Sequence, residues 1–120
     1  AFDRALSDRK GINRIGAEFM PMDEALAHIV VDFSGRPFSE VRIKWNSPAV
    51  GGIPTSLFQH FLESFAVTAK CNLHAKVLYG RDDHHQAEAL FKCLGRSLLK
   101  ASRIEPRRAD AVPSTKGTLT

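Results

Sequence analysis

Cysteine is scarce in this sequence: Cys71 and Cys93 are the only two. Each lies in an apolar stretch and neither belongs to a C-x-x-C pair, so both are expected as buried, reduced thiols in a reducing compartment. Long apolar runs are also missing. None could span a membrane, and no signal-peptide pattern is present, so the expected setting is cytoplasmic with no membrane partner. Internal repeats are absent. The basic residues are scattered, and no basic stripe interleaved with aromatics is visible, which argues against a nucleic-acid partner.

What is present fits one soluble domain with one modest core. Of 120 residues, 43% are hydrophobic and 25% charged, and eight Phe and one Trp supply aromatic mass to anchor it. The formal charge is +4 with a pI near 9.4. That mild excess suits either a solvated surface or an anionic partner, and a small phosphate is favoured.

Ala1 to Leu6 has helical composition but is too short to be stable alone, so it reads as the tail of a longer helix. Arg14 to Met20 is a candidate strand, broken by Pro21-Met22-Asp23-Glu24. Ala25 to Phe33 is rich in β-formers, and Phe38 to Trp45 alternates apolar and polar residues. With Ser34-Gly35-Arg36-Pro37 between them, these two runs are predicted to pair as a hairpin. Asn46 to Pro54 reads as a loop. Thr55 is a candidate N-cap for a helix carrying Leu57, Phe58, Phe61, Leu62, Phe65 and Ala69 at helical spacing. Leu73 to Tyr79 is a strand. Asp82 or Asp83 caps a second amphipathic helix, with Ala87, Leu90, Phe91, Leu94, Leu98 and Leu99 on its apolar face. The predicted class is α+β: a four-stranded sheet with two helices packed on one face.

Chemistry concentrates in Asp82-Asp83-His84-His85-Gln86-Ala87-Glu88. On a helix His84 and Glu88 share a face at i, i+4, and His85 and Glu88 are neighbours at i, i+3. Two imidazoles and a carboxylate near one helix start are suited to Mn, Fe or Zn, although the same residues also make an ordinary polar helix start. His60, on the preceding helix, is a candidate third imidazole or a boundary histidine. His28 and His74 have no companion ligands and are read as structural or exposed. Ser114, Thr115 and Lys116, followed by Gly117, can wrap a phosphate or lie in a solvated tail. Arg14 and Arg36 alone read as strand-end or loop residues.

Taken in order, Asp8-Arg9-Lys10-Gly11-Ile12-Asn13-Arg14, Pro21-Met22-Asp23-Glu24-Ala25-Leu26, Asp32-Phe33-Ser34-Gly35-Arg36-Pro37, His84-His85-Gln86-Ala87-Glu88-Ala89-Leu90-Phe91-Lys92 and Pro113-Ser114-Thr115-Lys116-Gly117 resemble the successive signatures of the imidazoleglycerol-phosphate dehydratase family. The resemblance covers essentially the whole chain and corresponds to the C-terminal half of that family's fold, which is two fused α+β repeats.

It implies that residues 1–10 end a helix of the first half, 11–104 form the second half-domain, and 105–120 form a substrate-binding tail. It implies a hydro-lyase of histidine biosynthesis, removing water from D-erythro-imidazole-glycerol phosphate to give imidazole-acetol phosphate through an imidazolate and a diazafulvene-like intermediate. His60, His84, His85 and Glu88 match metal ligands for two Mn2+ ions per site. His60, His85 and Glu88 would hold one ion and His84 would reach the other, so that His84, His85 and Glu88 are the catalytic candidates. Arg14, Arg36, Ser114, Thr115 and Lys116 match substrate and phosphate positions.

Implied partners are the phosphorylated imidazole substrate, the missing N-terminal half, and further copies of the protein in a 24-subunit shell built from trimers, with sites between subunits. The first half's own metal motif is absent here, so this half alone is expected to be inactive and poorly stable. The alternatives are a non-catalytic metal-binding or assembly module and, on the short His-His-x-x-Glu stretch alone, a metal-dependent hydrolase.

Overall fold

The computed structural model describes residues 1–120. A β-hairpin begins the sheet: β1 (Ile15–Met22) and β2 (Ala25–Asp32) pair antiparallel from Ile15↔Asp32 to Met22↔Ala25. Asp23-Glu24 makes the turn, with Asp23 at φ 49°, in the left-handed region that Asp tolerates. Side chains alternate across a strand, so β2 turns Ala25, Ala27, Ile29 and Val31 into the core and leaves the residues between half-buried. Pro21 does not end β1 as expected. β1 is an edge strand, where a missing ladder N–H is tolerated.

The predicted hairpin between 25–33 and 38–45 does not form. β3 (Phe38–Arg42) is separated from β2 by β6 (Asn72–Tyr79) in a sheet ordered β1-β2-β6-β3. β6 is antiparallel to β2 and parallel to β3. Residues 33–37 step across the end of β6, where the Phe38 N–H donates to the Cys71 carbonyl and Asn72 Nδ2 donates to the Arg36 carbonyl at 2.6 Å. A link of that length can cross two strand spacings, roughly 10 Å, whereas the tight turn at Asp23-Glu24 can join only neighbours. Alternation alone identified both strands but could not say which pairs with which.

The helices α2 (Ser56–Ala69) and α3 (Asp83–Ser102) cover one face of this sheet. The core joins Ile29, Val31, Phe33, Leu62, Leu73 and Leu90. α3 lies against β1 so closely that a β-carbon on Gly16 would come within 2.1 Å of the Ser97 carbonyl oxygen. Ser97 Oγ donates to the Ile29 carbonyl at 3.0 Å, and Cys93 Sγ to the Glu18 carbonyl at 3.0 Å. Both cysteines are free and buried, as expected. Burial pushes the Cys71 thiol up to about 11 and raises Cys93 as well.

Three details depart from expectation. The loop before α2 contains a minimal hairpin, β4 (Ala49–Val50) with β5 (Ile53–Pro54). Thr55 precedes α2, but its hydroxyl bonds the Ser47 and Pro48 carbonyls instead of capping the helix. On the helices, Leu57, Phe61, Phe91 and Leu99, expected to face the core, are exposed.

The chain ends are tied to this unit. Arg9 follows α1 (Phe2–Leu6) and is fully buried. Its guanidinium donates to the Ala69 and Lys70 carbonyls at 2.9 and 3.1 Å and to Asp3 at 2.9 Å, satisfying the end of α2. Beyond α3, a 3-10 turn at Pro106–Arg108 leads into a tail that returns to the sheet. The Gly11 N–H donates to the Ala111 carbonyl, and Leu119 is buried against Gly35, whose φ of 83° and missing Cβ admit the Leu119 carbonyl.

Candidate functional site

Asp82 begins α3 in extended geometry and accepts the His85 N–H at 3.0 Å, as an N-cap does. This start aims His84, His85 and Glu88 from one end of the helix. His84 and Glu88 share a face as predicted, with Nε2 and Oε2 3.3 Å apart. Lys92 Nζ takes the other Glu88 oxygen at 2.7 Å. That hydrogen bond, with His84 adding to it, holds the Glu88 carboxyl below its ordinary range.

His85 turns the other way, into the β1–β2 turn. Its Nδ1 lies 2.5 Å from Glu24 Oε1, and its Nε2 lies 3.7 Å from Asp23 Oδ2. The second oxygen of Glu24 accepts two backbone N–H groups, from Arg81 and Asp82, at 2.8 Å each. The Asp82 N–H first, then His85 and the Arg81 N–H, lower Glu24 to about 2. The hydrogen bond from Glu24 raises His85.

Asp83 is buried. Its carboxylate accepts from the Asn46 and Ser47 N–H groups, the Ser47 hydroxyl and Gln86 Nε2. Burial pushes its pKa up, but the Ser47 hydroxyl, the Asn46 N–H and Gln86 together hold it below its ordinary value. The result ties the segment leading to α2 onto the start of α3.

Neither Glu24 nor Asp83 was singled out for this role from sequence. In the sequence Asp83 shows only as a cap candidate, and Glu24 only within a strand-breaking cluster and one of the family-like segments, with no role of its own. The alternative reading of Pro21 to Glu24 as a tight turn between two apolar strands was the available signal.

His60 is exposed on α2 and has no hydrogen bond or ion pair to the α3 residues. No group of three or more His, Cys, Asp or Glu side chains in the chain is arranged to hold a metal ion. The donors are nevertheless of one chemical kind, imidazole nitrogen and carboxylate oxygen, and His84 and Glu88 are already adjacent. They fit part of the coordination sphere of a hard or borderline divalent ion.

The second set gathers at the opposite end of the sheet. Arg14 Nε and Nη2 grip the Asp32 carboxylate at 2.6 and 3.2 Å, while Nη1 donates to the Pro113 carbonyl at 3.0 Å. Pro113 starts the turn of the tail, in which Ser114 Oγ accepts the Lys116 N–H at 3.1 Å and the Gly117 N–H meets the Ser114 carbonyl. Thr115 and Lys116 are exposed on this turn, and Arg36 is exposed on the loop beside Gly35. Arg14 thus joins the Ser114–Lys116 turn through Pro113, and Arg36 follows Gly35, against which Leu119 of the tail packs. The length of β2 separates Glu24 from Asp32, so the two sets lie roughly 23 Å apart.

Comparison with known proteins identifies the family and the fold. The family model described as imidazoleglycerol-phosphate dehydratase matches residues 1–98. The imidazoleglycerol-phosphate dehydratase of Roseiflexus sp. (strain RS-1) is 53% identical over 119 residues, covering 99% of this chain and 60% of the relative. That of Dehalococcoides mccartyi (strain ATCC BAA-2266 / KCTC 15142 / 195) is 50% identical, covering 99% and 61%. The chain therefore spans about 60% of the length of these relatives. The crystal structure of the Staphylococcus aureus enzyme superposes with a TM-score of 0.84 at 33% identity, over 87% of this chain and 61% of that one. For the Pyrococcus furiosus protein the TM-score is 0.82 at 35% identity, over 98% and 65%. The chain belongs to the imidazoleglycerol-phosphate dehydratase family.

Proposed function

We propose that this chain supplies half of the active-site residues of a Mn2+-dependent hydro-lyase. That enzyme converts D-erythro-imidazole-glycerol phosphate to imidazole-acetol phosphate in histidine biosynthesis, in the cytoplasm. The observation that carries the reading is the presentation of His84, His85 and Glu88 from the capped start of α3 in a chain that is 53% identical to a dehydratase. His60, His84, His85 and Glu88 are the residues that would hold two Mn2+ ions together with ligands from outside the chain. Bound Mn2+ lowers the pKa of a coordinated imidazole ring and so favours loss of its proton.

The chain's own residues do the rest by binding and orientation. Arg36 and Lys116 are exposed and free to approach a phosphate. Arg14, locked to Asp32 and Pro113, holds the tail turn so that Ser114 and Thr115 present hydroxyls beside them. A substrate made of one imidazole ring, a three-carbon chain and a phosphate is too short to touch both sets within one chain, since they are roughly 23 Å apart. The reading therefore includes an assembly in which one copy's α3 residues meet another copy's Arg14, Arg36 and tail, as in a 24-subunit shell of trimers.

Apolar side chains left open on both sides support further partners. Leu57, Phe61, Val67 and Phe91 lie on the helices, and Phe19, Phe38 and Tyr79 on the strands. One of these partners is the polypeptide corresponding to the remainder of the relatives' length.

The test is an assay for imidazole-acetol phosphate with Mn2+, using the chain alone and together with that remaining polypeptide. Turnover is expected only from the combination, and a chelator should abolish it. Full metal binding without turnover in the combination would favour a non-catalytic metal-binding module instead.

A further inference from the structure

We infer that Glu24 is a positioning residue, which locks His85 in the tautomer that carries its proton on Nδ1 and leaves the Nε2 lone pair free. The inference rests on the metal reading for its purpose but not for its geometry. A neutral imidazole has one N–H and one acceptor nitrogen, and the partner of one decides the role of the other. Glu24 Oε1 lies 2.5 Å from Nδ1, and an ionised carboxylate can only accept. Its other oxygen is fixed by the Arg81 and Asp82 N–H groups, so the carboxylate cannot rotate away. Asp23 competes for the proton from the far side, but its Oδ2 is 3.7 Å from Nε2, beyond hydrogen-bond range. The proton therefore sits on Nδ1.

This assigns work to the tight β1–β2 turn. It places a carboxylate behind an imidazole on a different element, the arrangement that fixes ring orientation and donor atom in metal-bound histidines. Metal-ligand imidazoles lacking such a partner keep both tautomers available.

Glu24→Gln is a sharp probe. The two backbone N–H donors require an oxygen at the Oε2 position, so the amide NH2 is left facing Nδ1. Nδ1 must then accept, and the proton moves to Nε2. The variant keeps the backbone contacts and so the fold of the turn.

The experiment is long-range proton–nitrogen correlation NMR on the full chain carrying nitrogen-labelled histidine, metal-free, at a pH where His85 is neutral. It is followed by Mn2+ titration of the same samples. The expected result is the Nδ1–H tautomer in the wild type and the Nε2–H tautomer in Glu24→Gln, with Mn2+ bound about 10–100-fold more weakly by the variant. Glu24→Asp, which retains a carboxylate, should keep the Nδ1–H form and recover part of the affinity. A wild-type Nε2–H tautomer overturns the inference, whether or not the variant folds. So does an unchanged tautomer or undiminished Mn2+ affinity in Glu24→Gln. If the tautomers behave as expected but wild type binds no Mn2+ even with the remaining polypeptide added, the lock stands and the metal reading of this chain falls.

Discussion

Asp83 shows how a single side chain sets the geometry of the α3 start. Its carboxylate accepts two backbone N–H groups, a hydroxyl and an amide while buried. Asp83→Asn places an NH2 group against donors that need an acceptor. The expected cost is about 1–3 kcal/mol, read as a lower urea midpoint with an unchanged slope. An unchanged midpoint would remove Asp83 from this role. The sequence placed His84 and Glu88 on one face because helical spacing alone decides that. It could not place His85, whose direction depends on Glu24, a residue 61 positions away in the chain. Arg9 was equally hidden, since a charged residue in a loop gives no sign that it will be buried against the end of α2.

The elements divide along the same line. Strand and helix positions followed from alternation and amphipathic spacing, and α3 begins at Asp82, one of the two cap candidates. Pairing did not follow, because the insertion of β6 between β2 and β3 is a long-range choice that neither strand's pattern encodes. The closeness of α3 to β1 was also invisible until Gly16 was seen beneath Ser97. Gly16→Ala is expected to destabilise the chain by about 1–3 kcal/mol, because the added methyl meets backbone at 2.1 Å. Thermal unfolding checks this, and a wild-type Tm would show that α3 can shift freely. The sequence leaves the tail as either phosphate-binding or solvated, and it folds back through Leu119, which is 2% exposed. Leu119→Ala should speed amide exchange across residues 114–118 while leaving β2 protected. Equal exchange in both proteins would mean that Leu119 does not hold the turn.

At the scale of the molecule, the charges predict acid sensitivity. Asp3, Glu24, Asp83, Glu88 and Glu105 are all held below their ordinary values. The unfolded chain therefore binds more protons than the folded one in acid. The stability these groups contribute is complete above about 4.5 and is lost as pH falls, for Glu24 down to about 2. Urea midpoints should stay level from pH 7 to about 4.5 and drop from there toward pH 3, where free carboxylates protonate. A flat profile would contradict the hydrogen-bonding described.

The same scale explains why composition and pattern could bound the fold but not complete the site. The candidate ligands and the candidate phosphate groups sit at opposite ends of one sheet, and apolar side chains stay open on both faces. His84, His85 and Glu88 are expected to present metal donors from the start of α3. Equilibrium dialysis against Mn2+, of the chain alone and with the remaining polypeptide, is the direct test. Saturable binding that is lost in His84→Ala, His85→Ala and Glu88→Ala is the predicted result. Binding that survives all three substitutions, or no binding by the wild-type chain even with the remaining polypeptide present, would contradict it.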